Sequence, residues 1–77
     1  MNEGSTYATT DFYLASFLKA IGLRLLETDR QGRRVTFIFE DRPDRKGLVQ
    51  VFYNDGEVKV NAFVHAIQDL KAVLYNW

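Results

Sequence analysis

Apolar positions recur along this chain with two periods, one helical and one extended. Leu14, Phe17, Leu18 and Ile21 fall at i, i+3, i+4 and i+7, a single stripe that predicts a helix over about residues 10–21. Thr9-Thr10-Asp11 supplies a hydroxyl able to accept from the orphan amides of its first turn and an early acid favoured by the helix dipole, and Gly22 sits where a helix commonly ends. Next come two apolar runs, Leu23-Arg24-Leu25-Leu26 and Val35-Thr36-Phe37-Ile38-Phe39, separated by Asp29-Arg30-Gln31-Gly32-Arg33-Arg34. A glycine-bearing turn between β-prone runs predicts an antiparallel hairpin. In its second strand Val35, Phe37 and Phe39 share the core face. Arg34, Thr36, Ile38 and Glu40 share the other, and Ile38 hints that this face is partly covered as well. Near the end Asn61 is read as the cap of a helix in which Phe63, Ile67, Leu70 and Leu74 form the buried stripe, running to about Tyr75.

Between these elements the pattern is ambiguous. Asp41-Arg42-Pro43-Asp44 breaks the second strand. Leu48, Val51 and Phe52 have helical spacing, whereas Val49, Val51 and Tyr53 alternate. Asn54-Asp55-Gly56 ahead of Val58 and Val60 is a strong hairpin signal, and propensity alone favours a second hairpin over residues 45–60.

Seventy-seven residues, 47% of them hydrophobic and 14% aromatic, make one small domain spanning 1–77, with residues 1–8 read as a loose lead-in. The absence of cysteine excludes a disulfide framework and a thiolate metal site. The first residues lack the charged and apolar regions of a signal peptide, and no apolar run is long enough to span a membrane, so the expectation is a cytoplasmic protein with no membrane partner. Net charge is zero, but residues 24–46 hold seven of the ten basic groups (Arg24, Arg30, Arg33, Arg34, Arg42, Arg45, Lys46). Five acids in the same window (Glu27, Asp29, Glu40, Asp41, Asp44) leave a local balance of +2, which an ordinary charge-mixed surface would also show.

Several of these segments together resemble a family. The run Thr10-Asp11-Phe12-Tyr13-Leu14-Ala15, the glycine at Gly22, the block Arg33-Arg34-Val35-Thr36-Phe37-Ile38-Phe39-Glu40-Asp41 and the closing Asp69-Leu70-Lys71 are similar to a small bacterial and phage-associated family labelled only as a domain of unknown function. The resemblance covers roughly residues 7–75. It implies that residues 45–53 are a short helix ending in an asparagine-glycine turn, although Gly47 and Val49 depart from the pattern. It brings no activity, cofactor or site residue.

The candidate chemistry is thin. His65, between core positions Val64 and Ala66 on the last helix, lacks the oriented partner of a general base and the companions of a zinc ligand, so it is read as an ordinary, partly exposed histidine. Neither Ser5 nor Ser16 sits in a nucleophile elbow, and the isolated glycines make no phosphate-cradling loop. Pro43-Asp44 followed by Glu57-Val58-Lys59 matches the loose spacing of magnesium-dependent nucleases. There Asp44 and Glu57 would hold the metal and Lys59 would serve the attacking water, provided residues 48–53 and 57–60 pair as strands.

The predicted fold is therefore α+β: an N-terminal helix, a two-stranded antiparallel hairpin, a short helix, and a C-terminal helix packed on the sheet. Its expected core is Phe12, Leu14, Phe17, Leu18, Ile21, Leu25, Val35, Phe37, Phe39, Phe63, Ile67, Leu70 and Leu74. The leading functional expectation is a non-catalytic module without cofactor, metal or small-molecule ligand. It would contact nucleic-acid phosphates through Arg30, Arg33 and Arg34 at the hairpin tip, with Arg42, Arg45 and Lys46 beside them. Close behind stands a protein adaptor or homodimer using an exposed sheet edge or Tyr53, Tyr75 and Trp77, with Tyr7 and Tyr13 also lying off the main stripes. The nuclease is third.

Overall fold

The computed structural model describes residues 5–75 and is built as three helices laid over one antiparallel sheet. The order along the chain is β1 (Thr6–Thr9), α1 (Phe12–Ala20), β2 (Leu25–Gln31), β3 (Arg34–Glu40), α2 (Arg45–Tyr53) and α3 (Val60–Tyr75). Helix α1 starts where the side chain of Asp11 accepts from the amides of Tyr13 and Leu14, at 3.0 and 3.1 Å. It ends at Ile21, and Gly22 follows at φ +104°, a conformation that only glycine adopts without strain.

The sheet has three strands in the order β1-β3-β2, which corrects the expected two-stranded hairpin and, for residues 6–8, the expected loose lead-in, whose residues 1–4 lie outside the described residues. Thr6–Thr9 is only four residues long, with one large apolar side chain, Tyr7, and so carries little signal of its own. What stabilises it is the central position of β3, whose second edge needs a partner for its amides and carbonyls. The hairpin itself forms as expected. Gln31 lies opposite Arg34, and Gly32 alone of the two turn residues has positive φ, at +62°, the sign pattern of a type II′ turn.

Register sorts the strand residues onto two faces. Tyr7 and Thr9 of β1, Leu25, Thr28 and Arg30 of β2, and Val35, Phe37 and Phe39 of β3 share one face. The helices lie there. Helix α1 occupies the middle, α2 lies beside it towards β1, and α3 lies on the other side towards β2. Ring contact of Phe17 with Phe52 and stacking of Arg45 on Tyr7 fix α2. The Lys19–Asp69 ion pair and the bond from Arg30 to the Leu74 carbonyl fix α3. The opposite face carries Thr6, Ala8, Glu27, Asp29, Gln31, Arg34, Thr36, Ile38 and Glu40, a polar set centred on half-buried Ile38. On this face Arg34 lies opposite Gln31 and Glu27 opposite Ile38.

The core joins α1 to the sheet through Leu14, Phe17, Leu18, Leu23, Phe37, Phe39 and Leu70, all buried. Phe12, Ile21, Leu25, Val35, Phe63, Ile67 and Leu74 reach only half-burial, a consequence of the small size of the domain. Ala15, Ser16 and Leu23 are buried but absent from the expected core, and Ala66, read as a core position beside His65, is buried as expected. Buried Ser16 is satisfied by donating its hydroxyl to the Phe12 carbonyl at 2.9 Å.

Residues 45–53 are helical, as the family resemblance implies. Asn54-Asp55-Gly56 caps this helix instead of turning a hairpin. Asp55 has φ +61°, and the amide of Gly56 donates to the Val51 carbonyl at 2.7 Å, the longer bond of a Schellman motif. Asn61 lies one residue inside α3 and is not its cap. Val64, expected in the core, is 41% exposed, and His65 is exposed beside it.

Candidate functional site

Helix α1 begins beside β1, and α2 returns alongside it, so the N-terminus of α1 gathers side chains from three elements. Asp11 is the junction. One carboxylate oxygen caps the helix, and the other accepts from the Tyr53 hydroxyl at 3.0 Å. That bond holds the Tyr53 phenol above its ordinary pKa of 10.0, because the neutral hydroxyl is the form that donates. Tyr53 packs edge-on against Phe52, and Tyr13 packs edge-on against Phe12, with ring centroids 5.0 and 5.4 Å apart. The two tyrosines nevertheless remain 61% and 60% exposed. Their backing rings, Phe12 and Phe52, reach into the core through Phe37 and Phe17.

Next to it, Arg45 lies 4.3 Å over the Tyr7 ring and donates to Asp41 at 3.1 and 3.4 Å. The Arg45 hydrogen bond is the main reason that Asp41 ionises below its ordinary 3.8. Arg42 forms the companion pair, donating to both oxygens of Asp44 at 3.0 and 2.7 Å and likewise lowering that carboxyl.

These pairs disperse the basic cluster expected from the sequence. Arg42 and Arg45 are engaged by acids, while Lys46 is exposed on α2. Arg33 occupies the hairpin turn and Arg34 opens β3 on the helix-free face, whereas Arg30 lies on the helix face and reaches the C-terminal end of α3. Seven residues of β3 separate the tip from Arg42 and Arg45, roughly 20 Å at strand rise. The six cations therefore do not make one patch.

The chain belongs to the family described as Domain of unknown function (DUF5659). Its family model matches residues 4–76. No curated protein and no solved structure matches the chain. The likeness seen in the sequence is thus membership, and it carries no reaction or partner with it.

The remaining expected site residues are scattered. Tyr75 is 81% exposed on α3, remote in sequence from the α1 junction, and Trp77 lies outside the described residues. Asp44 precedes α2 in its ion pair with Arg42, while Glu57 and Lys59 lie in the segment between α2 and α3. The strand pairing that would join them is not formed, because residues 45–53 are a helix. Among the described residues no group of three His, Cys, Asp or Glu side chains could hold a metal ion, and no helix is long and apolar enough to cross a membrane. The sequence places Asp11 at the start of α1 as an early acid beside a capping hydroxyl, whereas Asp11 is itself the cap, and nothing in the sequence announces its bond to a tyrosine 42 residues away.

Proposed function

We propose that this domain is a non-catalytic protein-binding module whose contact surface is the tyrosine patch at the start of α1. The observation that supports it is the pair Tyr13 and Tyr53, both more than half exposed although each is held by a phenylalanine, and Tyr53 also by Asp11. Tyrosine and arginine are the residue types that most often dominate protein interfaces. A pre-held ring loses less conformational freedom on binding than a mobile one. The dispersal of the cations is what sets this reading ahead of nucleic-acid binding, since backbone recognition relies on many phosphate contacts acting together.

A salt titration against single- and double-stranded DNA and RNA separates the two. The protein-binding reading expects no measurable affinity at physiological salt. Binding that weakens steeply with salt, with a slope that flattens in an Arg33→Ala/Arg34→Ala variant, would overturn it in favour of nucleic acid.

A further inference from the structure

The two edges of the sheet are not treated alike. Strand β2 carries Glu27, Asp29 and Arg30 and an irregularity between Leu25 and Glu27, the devices by which proteins blunt an edge against pairing. The outer edge of β1 has none of these. Thr6-Tyr7-Ala8-Thr9 contains no charge, no proline and no bulge. The Asp41 amide donates to the Ser5 carbonyl at 3.2 Å, so Ser5 faces β3. The alternation of an antiparallel ladder then directs Tyr7 and Thr9 towards β3 as well, and turns the amides and carbonyls of Thr6 and Ala8 outward. Both of those residues are exposed.

From these observations we infer that the β1 edge takes a second copy of this chain, pairing antiparallel about a two-fold axis at Tyr7. The edge is self-complementary in that arrangement. Thr6 of each copy exchanges two hydrogen bonds with Ala8 of the other, and the two Tyr7 residues face each other in the close, non-hydrogen-bonded position. The result is a six-stranded sheet with only the guarded β2 edges outermost. No like charges meet along the seam, and a net charge of zero sets no overall repulsion between copies. Arg45, which lies over Tyr7, comes already neutralised by Asp41. Pairing also covers the side of the molecule where packing is thinnest. Helix α2, which lies over β1, has no buried residue, although it carries Leu48, Val49, Val51, Phe52 and Tyr53. This inference concerns the strand edge and not the tyrosine patch, so a monomer sinks it and leaves the patch reading in place.

The chain has no cysteine, which makes a crosslinking test clean. In the paired dimer the two Cα atoms at position 7 lie about 4.5 Å apart, within the roughly 4.4–6.8 Å that a disulfide spans. Full-length Tyr7→Cys should therefore oxidise readily to a covalent dimer, whereas Asp29→Cys on the guarded edge should not. Wild type should sediment at twice its 8.9 kDa mass and dissociate on dilution. Adding Ala8→Pro should abolish both the crosslink and the dimer. It removes an outward amide and leaves the β3 ladder intact. If that variant fails to fold, as judged by circular dichroism, Thr6→Lys places a charge on the same edge and should act alike. A wild type that stays monomeric, with Tyr7→Cys crosslinking no faster than Asp29→Cys, overturns the inference. So does a dimer indifferent to a folded Ala8→Pro or Thr6→Lys variant.

Discussion

Asp11 performs two tasks with one carboxylate, and separating them gives a sharp test of how the patch is built. Replacing it with alanine removes the acceptor for the Tyr13 and Leu14 amides and also the acceptor for the Tyr53 hydroxyl. Loss of an N-cap costs typically about 1 kcal/mol, in a range of roughly 0.5–2. Unfolding entropy of about 2.1 cal/mol/K per residue gives roughly 160 cal/mol/K for this chain, so each kcal/mol shifts Tm by about 6 °C. Asp11→Ala should thus lower Tm by about 3–12 °C in a thermal melt followed by far-ultraviolet circular dichroism. Asp11→Asn keeps a capping oxygen of equal quality and should lose only a small part of that. Tyr53→Phe removes the distal bond alone. It should leave the helix nearly as stable, and adding Asp11→Ala to Tyr53→Phe should not further change the order of the phenylalanine ring now at that position. Equal losses for the alanine and asparagine variants would refute the capping argument, because they would trace the effect to charge. An Asp11→Ala shift below about 2 °C would refute it outright.

Two further outcomes follow from the same packing. Asp41 titrates below its ordinary 3.8 because Arg45 donates to it, so its contribution to stability is complete above that value and is lost as pH falls through the lower folded value. Urea midpoints measured on descending through this acid range should fall more steeply for wild type than for Asp41→Asn, and parallel curves would contradict the pairing. Gly56 adopts no positive φ, yet a Cβ built there lies 2.5 Å from the Val51 carbonyl oxygen. Gly56→Ala should therefore open the cap of α2 and cost about 1–3 kcal/mol by denaturant titration, whereas an unchanged midpoint would show that the cap relaxes freely.

How much of this was legible in the chain depended on how local each cause was. The stripe Leu14, Phe17, Leu18, Ile21 and the signals at Asp11 and Gly22 placed α1 to within two residues at each end, because a helix is stabilised by neighbours in sequence. The β2–β3 hairpin was legible for the same reason. Strand β1 was not. Four residues with one large apolar side chain pair with a strand some thirty positions away, and Ile38 on β3 hinted at a covered face and not at a further strand. Asn54-Asp55-Gly56 has the chemistry of a hairpin turn and of a helix cap alike, and it closes as a cap through the bond from the Gly56 amide to the Val51 carbonyl. Among the candidate site residues, Tyr53 was visible as an aromatic off the main stripe. The engagement of Arg42 and Arg45 by Asp44 and Asp41 was not, since composition counts charges without pairing them.

The central claim is that Tyr13 and Tyr53 carry the contact with a protein partner. Its most direct test is the affinity of the full chain for the protein it captures from its own cells, measured by calorimetry for wild type, Tyr13→Ala and Tyr53→Ala. All three should first be shown to be equally folded. The account predicts that each substitution raises Kd by more than about fivefold while Arg33→Ala/Arg34→Ala leaves it unchanged. Equal affinities for wild type and both tyrosine variants, or a loss confined to the arginine variant, would contradict it.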